Sequence, residues 1–287
     1  MQEKDGLERI AFEFMEDMAQ DGVFYVEVRF APVFHRNRGL TNDEVVRAVL
    51  TGLQKGGAAF GIDWGLILCA MRDRDDSEEM AELAVHWRDE GVVGFDLAGG
   101  EAGFPPKKHL EAFQKIHRAN FNITIHAGEA YGAESIWQAL QWCGAHRLGH
   151  GTRLMDDFQK DGNGQWQLGT LARYILDHRV PLEMCLSSNV HTGAVPDFES
   201  HPFPMLFRLG FRVSLNTDDR LMSDTEMSKE LALATELFDL SLDDLEQLAL
   251  NSIKSAFAPH DLRIRLLKGT LLPGYMKLKA QLEEPTL

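Results

Sequence analysis

The stretch Ile123-Thr-Ile-His-Ala-Gly-Glu129 decides how the rest of the chain is understood. Its apolar and β-branched opening favours a buried strand, and the Ala-Gly pair breaks that strand in a small flexible turn. A histidine at such a strand end can ligate a metal, and Glu129 beside it can exchange a proton. Alone, His126 would be an ordinary hydrogen-bonded structural histidine. Three further polar clusters also follow short apolar runs: Asp96-Leu-Ala-Gly-Gly-Glu101, Gly149-His-Gly151 and Asn216-Thr-Asp-Asp219. Taken singly, His150 between two glycines suggests a loop, and Asp218-Asp219 a turn or helix cap. Polar groups set repeatedly at strand ends point to one shared pocket at one mouth of a barrel.

Working outward, apolar runs alternate with segments of helical period. A helix carrying Leu7, Ile10, Ala11, Phe14, Met15 and Met18 ends at Asp21-Gly22, and Phe24 to Phe30 follows as a strand. On that strand Glu27 and Arg29 share a face and are expected to pair with each other. Thr41-Asn-Asp-Glu44 has capping-box spacing, Ser77 is expected to cap a helix, and Ser241 another. Later strands end near Met71, Leu97, His126, His150, Cys185 and Leu215, which makes seven. Ser187, Ser188 and Asn189 are expected to leave Cys185 as a polar loop. Strands alternating with helices mean a parallel sheet. No composition break, linker or repeat marks a boundary, so the expectation is a single domain over 1–287.

Composition narrows the class of function. The chain has 287 residues, 44% hydrophobic, and a net charge of −15. No Lys/Arg cluster offers a nucleic-acid surface, so a small neutral substrate fits better. The three cysteines, Cys69, Cys143 and Cys185, stand far apart and form no Cys-x-x-Cys pair; two lie within or beside apolar runs, where buried free thiols are expected, and the odd count favours a reducing compartment, the cytoplasm. No apolar run reaches membrane-spanning length, and the N-terminal stretch is amphipathic. His35, His191 and His201 are expected at the surface or rim.

The motifs together resemble the adenosine deaminases of the metal-dependent amidohydrolase superfamily. Tyr25-Val-Glu-Val-Arg-Phe-Ala-Pro32, Asp96-Leu-Ala-Gly99, His126-Ala-Gly-Glu129, Gly149-His-Gly151, Ser188-Asn189 and Asn216-Thr-Asp-Asp219 occur in that family's order. The resemblance implies a TIM-type (β/α)8 barrel with one Zn2+ at its C-terminal mouth. It implies His126 and Asp218 as zinc ligands, and Glu129 as proton donor to the purine ring nitrogen beside the reacting carbon. It implies His150 as the group that takes a proton from the attacking water, and Asp219 as a contact to the imidazole side of the purine. Gly99 would offer a backbone N–H to the pyrimidine side. The reaction implied is hydrolysis of adenosine, or a related 6-aminopurine nucleoside, to inosine and ammonia. The alternatives are an adenine or modified-adenosine deaminase of the same family, and a non-catalytic barrel binding a purine or a protein. The cytidine-deaminase signature of His-x-Glu with Pro-Cys-x-x-Cys is absent.

Two departures from the family pattern set further expectations. Its members open on a strand ending in His-x-His, and no His-x-His occurs here. The barrel is therefore expected to be incomplete, lacking its first strand and at least about 30 residues, with turnover impaired. Leu186 and Arg220 stand where many members carry proline.

Overall fold

The computed structural model describes residues 1–283 and divides into two compact units, Met1–Asp156 and Asp157–Leu287. In the first unit, strands and helices alternate strictly. The order is α1 (Lys4–Gln20), β1 (Tyr25–Phe30), α2 (Asn42–Phe60), β2 (Asp63–Met71), α3 (Ser77–His86), β3 (Val92–Ala98), α4 (Leu110–Arg118), β4 (Thr124–Ala127), α5 (Ala133–Gln141) and β5 (Arg147–His150).

These strands run parallel and are joined in chain order. β1 pairs with β2, β2 with β3, and β4 with β5, while the Phe95–Ile123 bridge links the third strand to the fourth chain segment. A parallel crossover needs a helix-length connection, and each interval supplies one. Because helices cover parallel sheets, strands such as β2 are apolar on both faces over most of their length, whereas β1 alternates and carries Glu27 and Arg29 on one face. Leu66, Ile67, Leu68, Phe95, Leu97, Ile123 and Ile125 are accordingly fully buried.

Local chemistry sets the helix ends. The Thr41 hydroxyl accepts from the Glu44 N–H at 3.2 Å, and the Glu44 carboxylate accepts from the Thr41 N–H at 3.0 Å, completing the expected capping box of α2. Helix α2 lies against α1 through Gly52 and Gly56, where an added Cβ would overlap Glu8, Ala11 or Met15. Close helix approach therefore depends on the missing side chains at those two positions.

The second unit begins with an antiparallel hairpin, β6 (Phe158–Lys160) and β7 (Trp166–Leu168), followed by α6 (Thr170–Asp177). Strands β8 (Leu182–Met184) and β9 (Val213–Leu215) pair in parallel, separated by α7 (Leu186–His191) and α8 (Phe203–Arg208). Then come α9 (Arg220–Ser223), α10 (Met227–Phe238), α11 (Leu242–Ser255), α12 (His260–Leu266) and α13 (Leu272–Glu283). Ser241 caps α11 with a second capping box, as its sequence predicts. No helix among the described residues is long and apolar enough to cross a membrane.

Several expectations are corrected. Ser77 is the first residue of α3, and no side chain caps that helix. Ser187, Ser188 and Asn189 belong to helix α7 and are buried. His201 is buried at 2% exposure, with Nε2 3.2 Å from Asn189 Oδ1 and Nδ1 accepting from the Phe203 N–H. Glu27 and Arg29 each also meet a counter-ion from elsewhere in the chain. Glu27 Oε2 lies 2.6 Å from Arg147 Nη1, and Arg29 Nη1 lies 3.3 Å from Asp96 Oδ2. Residues two apart on a strand share a face, and strands other than the paired neighbour, β3 for Arg29 and β5 for Glu27, also bring counter-ions to that face. All three cysteines are buried free thiols, where the sequence led to that expectation for two.

Candidate active site

The C-terminal ends of β3, β4 and β5 carry the first unit's functional groups. β4 ends on His126 and Ala127, and the chain then turns at Gly128 with φ +72°. An ideal Cβ at that position would stand 2.5 Å from Ile136 Cδ1, so both backbone conformation and space call for glycine. The turn throws Glu129 toward His150. Glu129 Oε2 sits 3.6 Å from His150 Nε2, longer than a hydrogen bond but within reach of a small shift. The His126 and His150 rings lie with centroids 5.2 Å apart. His126, Glu129 and His150 are thus gathered at one place, as their motifs imply.

His150 has φ +65°, a left-handed conformation uncommon for a residue with a side chain. It registers against Ala127 and is nearly enclosed, with only 3% of its side chain exposed. Such backbone strain concentrates at functional sites, where surrounding bonds hold it in place.

Asp96, on β3, is the residue whose role the sequence did not disclose. Its carboxylate is fully buried and takes up His126 Nδ1 at 2.9 Å, Arg29 Nη1 at 3.3 Å and Cys69 Sγ at 3.2 Å. Burial alone would raise its pKa, but the charges of His126 and Arg29 outweigh burial and hold it well below the usual carboxylate range. With Nδ1 engaged by a carboxylate, a metal would meet the ring at Nε2. That is the carboxylate–histidine arrangement of metal-binding imidazoles, so the donor set fits a zinc ligand at His126. Gly99 follows β3, exposed, with φ +97°.

Two further residues were not singled out from sequence. Glu101, 4% exposed, and Arg72, 1% exposed, lie under the His126–Glu129 turn. Their only trace in the sequence is that Glu101 closes the quoted Asp96 motif.

In the second unit, Asp218 and Asp219 follow β9, and both are exposed. Asp218 is left-handed at φ +55°, and its Oδ2 accepts from Ser188 Oγ at 2.7 Å. Ser188 is held on the buried face of α7, so this bond fixes the direction of the Asp218 carboxylate. Asp219 occupies the N-cap position of α9 without a side-chain cap bond, which points its role away from helix capping. Asn216, just before the pair, donates to Ser214 Oγ at 3.0 Å and ties the loop back to its strand. Glu230 accepts from Thr225 Oγ1 at 2.7 Å and from the Ser187 N–H at 3.3 Å, bracing α7 from behind.

Known proteins share this sequence throughout. The adenosine deaminase family model matches residues 1–271. Adenosine deaminase 1 of Streptomyces coelicolor is 51% identical over 286 residues, covering 98% of this chain and 72% of that protein. The adenosine deaminase of Mycobacterium avium is 50% identical, covering 97% of this chain and 78% of its own length. Among solved structures, adenine deaminase from Arthrobacter aurescens superposes with a TM-score of 0.82 at 27% identity, over 93% of this chain and 79% of that one. The N6-methyl-AMP deaminase of Arabidopsis thaliana does so with a TM-score of 0.80 at 29% identity, over 92% and 77%. The parallel βα order seen here agrees with the (β/α)-barrel fold class of these amidohydrolases. A family match over residues 1–271, with half the residues shared with named members, makes this chain a member of the adenosine deaminase family.

Proposed function

We propose that this protein hydrolyses adenosine to inosine and ammonia, using one zinc ion. The observation that carries this reading is the placement of Glu129, 3.6 Å from His150, beside an imidazole oriented by a buried carboxylate. Adenosine is preferred over other 6-aminopurines on resemblance: the named adenosine deaminases share about half of this sequence, the adenine and N6-methyl-AMP deaminases under a third.

His126 and Asp218 would hold the zinc, which suits an imidazole nitrogen and a carboxylate oxygen. Bound there, zinc would supply a nucleophile at neutral pH by lowering the pKa of a water to roughly 7. The rest belongs to side chains of this chain. His150 takes a proton from the attacking water and orients it. Glu129 delivers a proton to the ring nitrogen beside the reacting carbon. Attack at that carbon destroys ring aromaticity, and protonating the adjacent nitrogen in the same step lowers the barrier. Gly99 offers its N–H to the pyrimidine side and Asp219 its carboxylate to the imidazole side. These contacts fix the purine so that the two proton transfers meet the correct atoms. A single domain over 1–287 accords with a family match that runs through both compact units. A reducing compartment such as the cytoplasm accords with three buried free thiols.

The test is ammonia release from adenosine, with adenine and N6-methyl-AMP as competing substrates. Adenosine should be turned over with the highest kcat/KM, and E129Q should lower kcat by about 10²–10⁴-fold. Preference for adenine or N6-methyl-AMP would reassign the substrate. Stoichiometric zinc with no turnover of any purine would overturn the reading in favour of a binding protein.

A further inference from the structure

The turn that carries Glu129 is bonded at every peptide from 126 to 130, and most of those bonds come from two buried charged side chains. Glu101 accepts three successive backbone N–H groups. Gly128 donates to Oε2 at 2.9 Å, Glu129 to Oε1 at 2.7 Å and Ala130 to Oε1 at 2.9 Å. The Ser135 hydroxyl adds a fourth bond, to Oε2. From the other side, Arg72 Nη2 donates to the His126 carbonyl at 2.6 Å. Its Nη1 donates at 2.7 Å to the carbonyl of Phe104, in the same loop that carries Glu101. The next two carbonyls are taken by the segment after β5. Ala127 accepts from the Gly151 N–H at 3.1 Å, and Gly128 accepts from Thr152 Oγ1 and the Arg153 N–H, each at 2.8 Å.

We propose that Glu101 and Arg72 are positioning residues for proton transfer by Glu129. Together they clamp the turn so that the Glu129 carboxyl reaches the substrate from a fixed backbone. This inference rests on the assignment of Glu129 as the proton donor.

The physical argument is one of satisfaction and distance. Three adjacent N–H groups pointing into one small space need an acceptor with more than one oxygen. An ionised carboxylate is the side chain that accepts four bonds without donating any. Charge-assisted bonds of this kind are the strong ones, so the turn has one arrangement rather than several. A general acid displaced by about 1 Å loses on the order of 10²-fold in rate, which makes the backbone under Glu129 as consequential as its carboxyl. Gln at 101 keeps the shape but turns one oxygen into an NH2 group. With the NH2 in place of Oε1, the Glu129 and Ala130 N–H groups both face a donor; in place of Oε2, the Gly128 N–H does, while the Ser135 hydroxyl can turn to accept.

The test compares wild type, E101Q and E101A, each also in an E129Q background. Amide hydrogen exchange is followed at Gly128, Glu129 and Ala130. Expected are about a tenfold loss of kcat in E101Q and about 10²-fold in E101A, with KM within about twofold and bound zinc unchanged. Exchange at the three amides should quicken at least tenfold. In the E129Q background, E101A should lower the residual rate less than about threefold, because there is no acid left to misplace; a merely structural role would give the same loss in both backgrounds. Should E101A not fold, E101Q carries the comparison. A kcat within twofold of wild type for both variants, or an equal loss in both backgrounds, overturns the inference. If wild type itself does not convert adenosine, the deaminase reading fails. The exchange rates still decide the clamp, and unchanged exchange in E101Q overturns it.

Discussion

His126 turns Nδ1 toward Asp96, 2.9 Å from Oδ2 and 3.1 Å from Oδ1, so the imidazole is gripped from behind by a carboxylate with no exposure to solvent. Arg29 and Cys69 hold that carboxylate in turn. Asp96→Asn keeps the shape but removes the charge and presents an NH2 group to one of its donors. Zinc affinity should fall by about 10–100-fold, the usual cost of losing such a partner behind a ligand. Competition against a chelator measures it, and unchanged affinity would detach Asp96 from the metal site.

Arg147 and Glu27 form an ion pair in which both side chains are at most one-tenth exposed. Tyr25 adds its hydroxyl to Glu27 at 2.7 Å. Arg147→Met should cost about 3–5 kcal/mol in urea unfolding, because it leaves a carboxylate in the interior without the Arg147 cation. Combining it with Glu27→Gln should recover a large part of that loss. If the double variant is no more stable than the single one, the pair is not the reason for the cost.

Gly128→Ala adds a methyl group where φ is +72° and where Ile136 Cδ1 and Cγ1 stand 2.5 and 2.6 Å from the new atom. Left-handed strain adds roughly 1–2 kcal/mol and overpacking roughly 1–3 kcal/mol. Thermal unfolding should show a loss of about 2–5 kcal/mol. Ile136→Val in the same chain should relieve part of the crowding and none of the strain.

Cys143 is completely enclosed, and burial pushes its thiol up to about 12 from an ordinary value of 9.0, Arg72 opposing only in part. A thiol raised on folding is favourable below its unfolded pKa and costs stability as pH climbs. Between about pH 9 and 12 the unfolded chain is a thiolate there while the folded one keeps its proton. This group should therefore remove up to about 1.4 kcal/mol of stability per pH unit across that window. Urea unfolding at stepped pH should show a steeper alkaline decline for wild type than for Cys143→Ala; parallel declines would contradict it. Alkylating reagents at pH 8 should spare Cys143 until the protein unfolds.

The five strands of the first unit, and β8 and β9 of the second, were legible in the sequence in their chain order, with ends displaced by a few residues at most. So were the capping boxes at Thr41 and Ser241. These features depend on residues within a few positions of one another, where periodicity and hydrogen-bonding geometry act directly. The β6–β7 hairpin carries no comparable sequence signal: three residues a side are too few for a period to stand out. The tight grouping of His126, Glu129 and His150 was legible only through ordered motifs, not through any one residue.

What the sequence determined by itself is the succession of strands and helices, and with it which polar residues stand at strand ends. What only the tertiary structure decided is which buried charges meet. Arg29 meets Asp96, 67 positions away, and Glu101 closes on a turn 27 positions downstream. A buried charge must be compensated by whichever group another strand or loop brings to it, and that proximity exists only once the chain has folded.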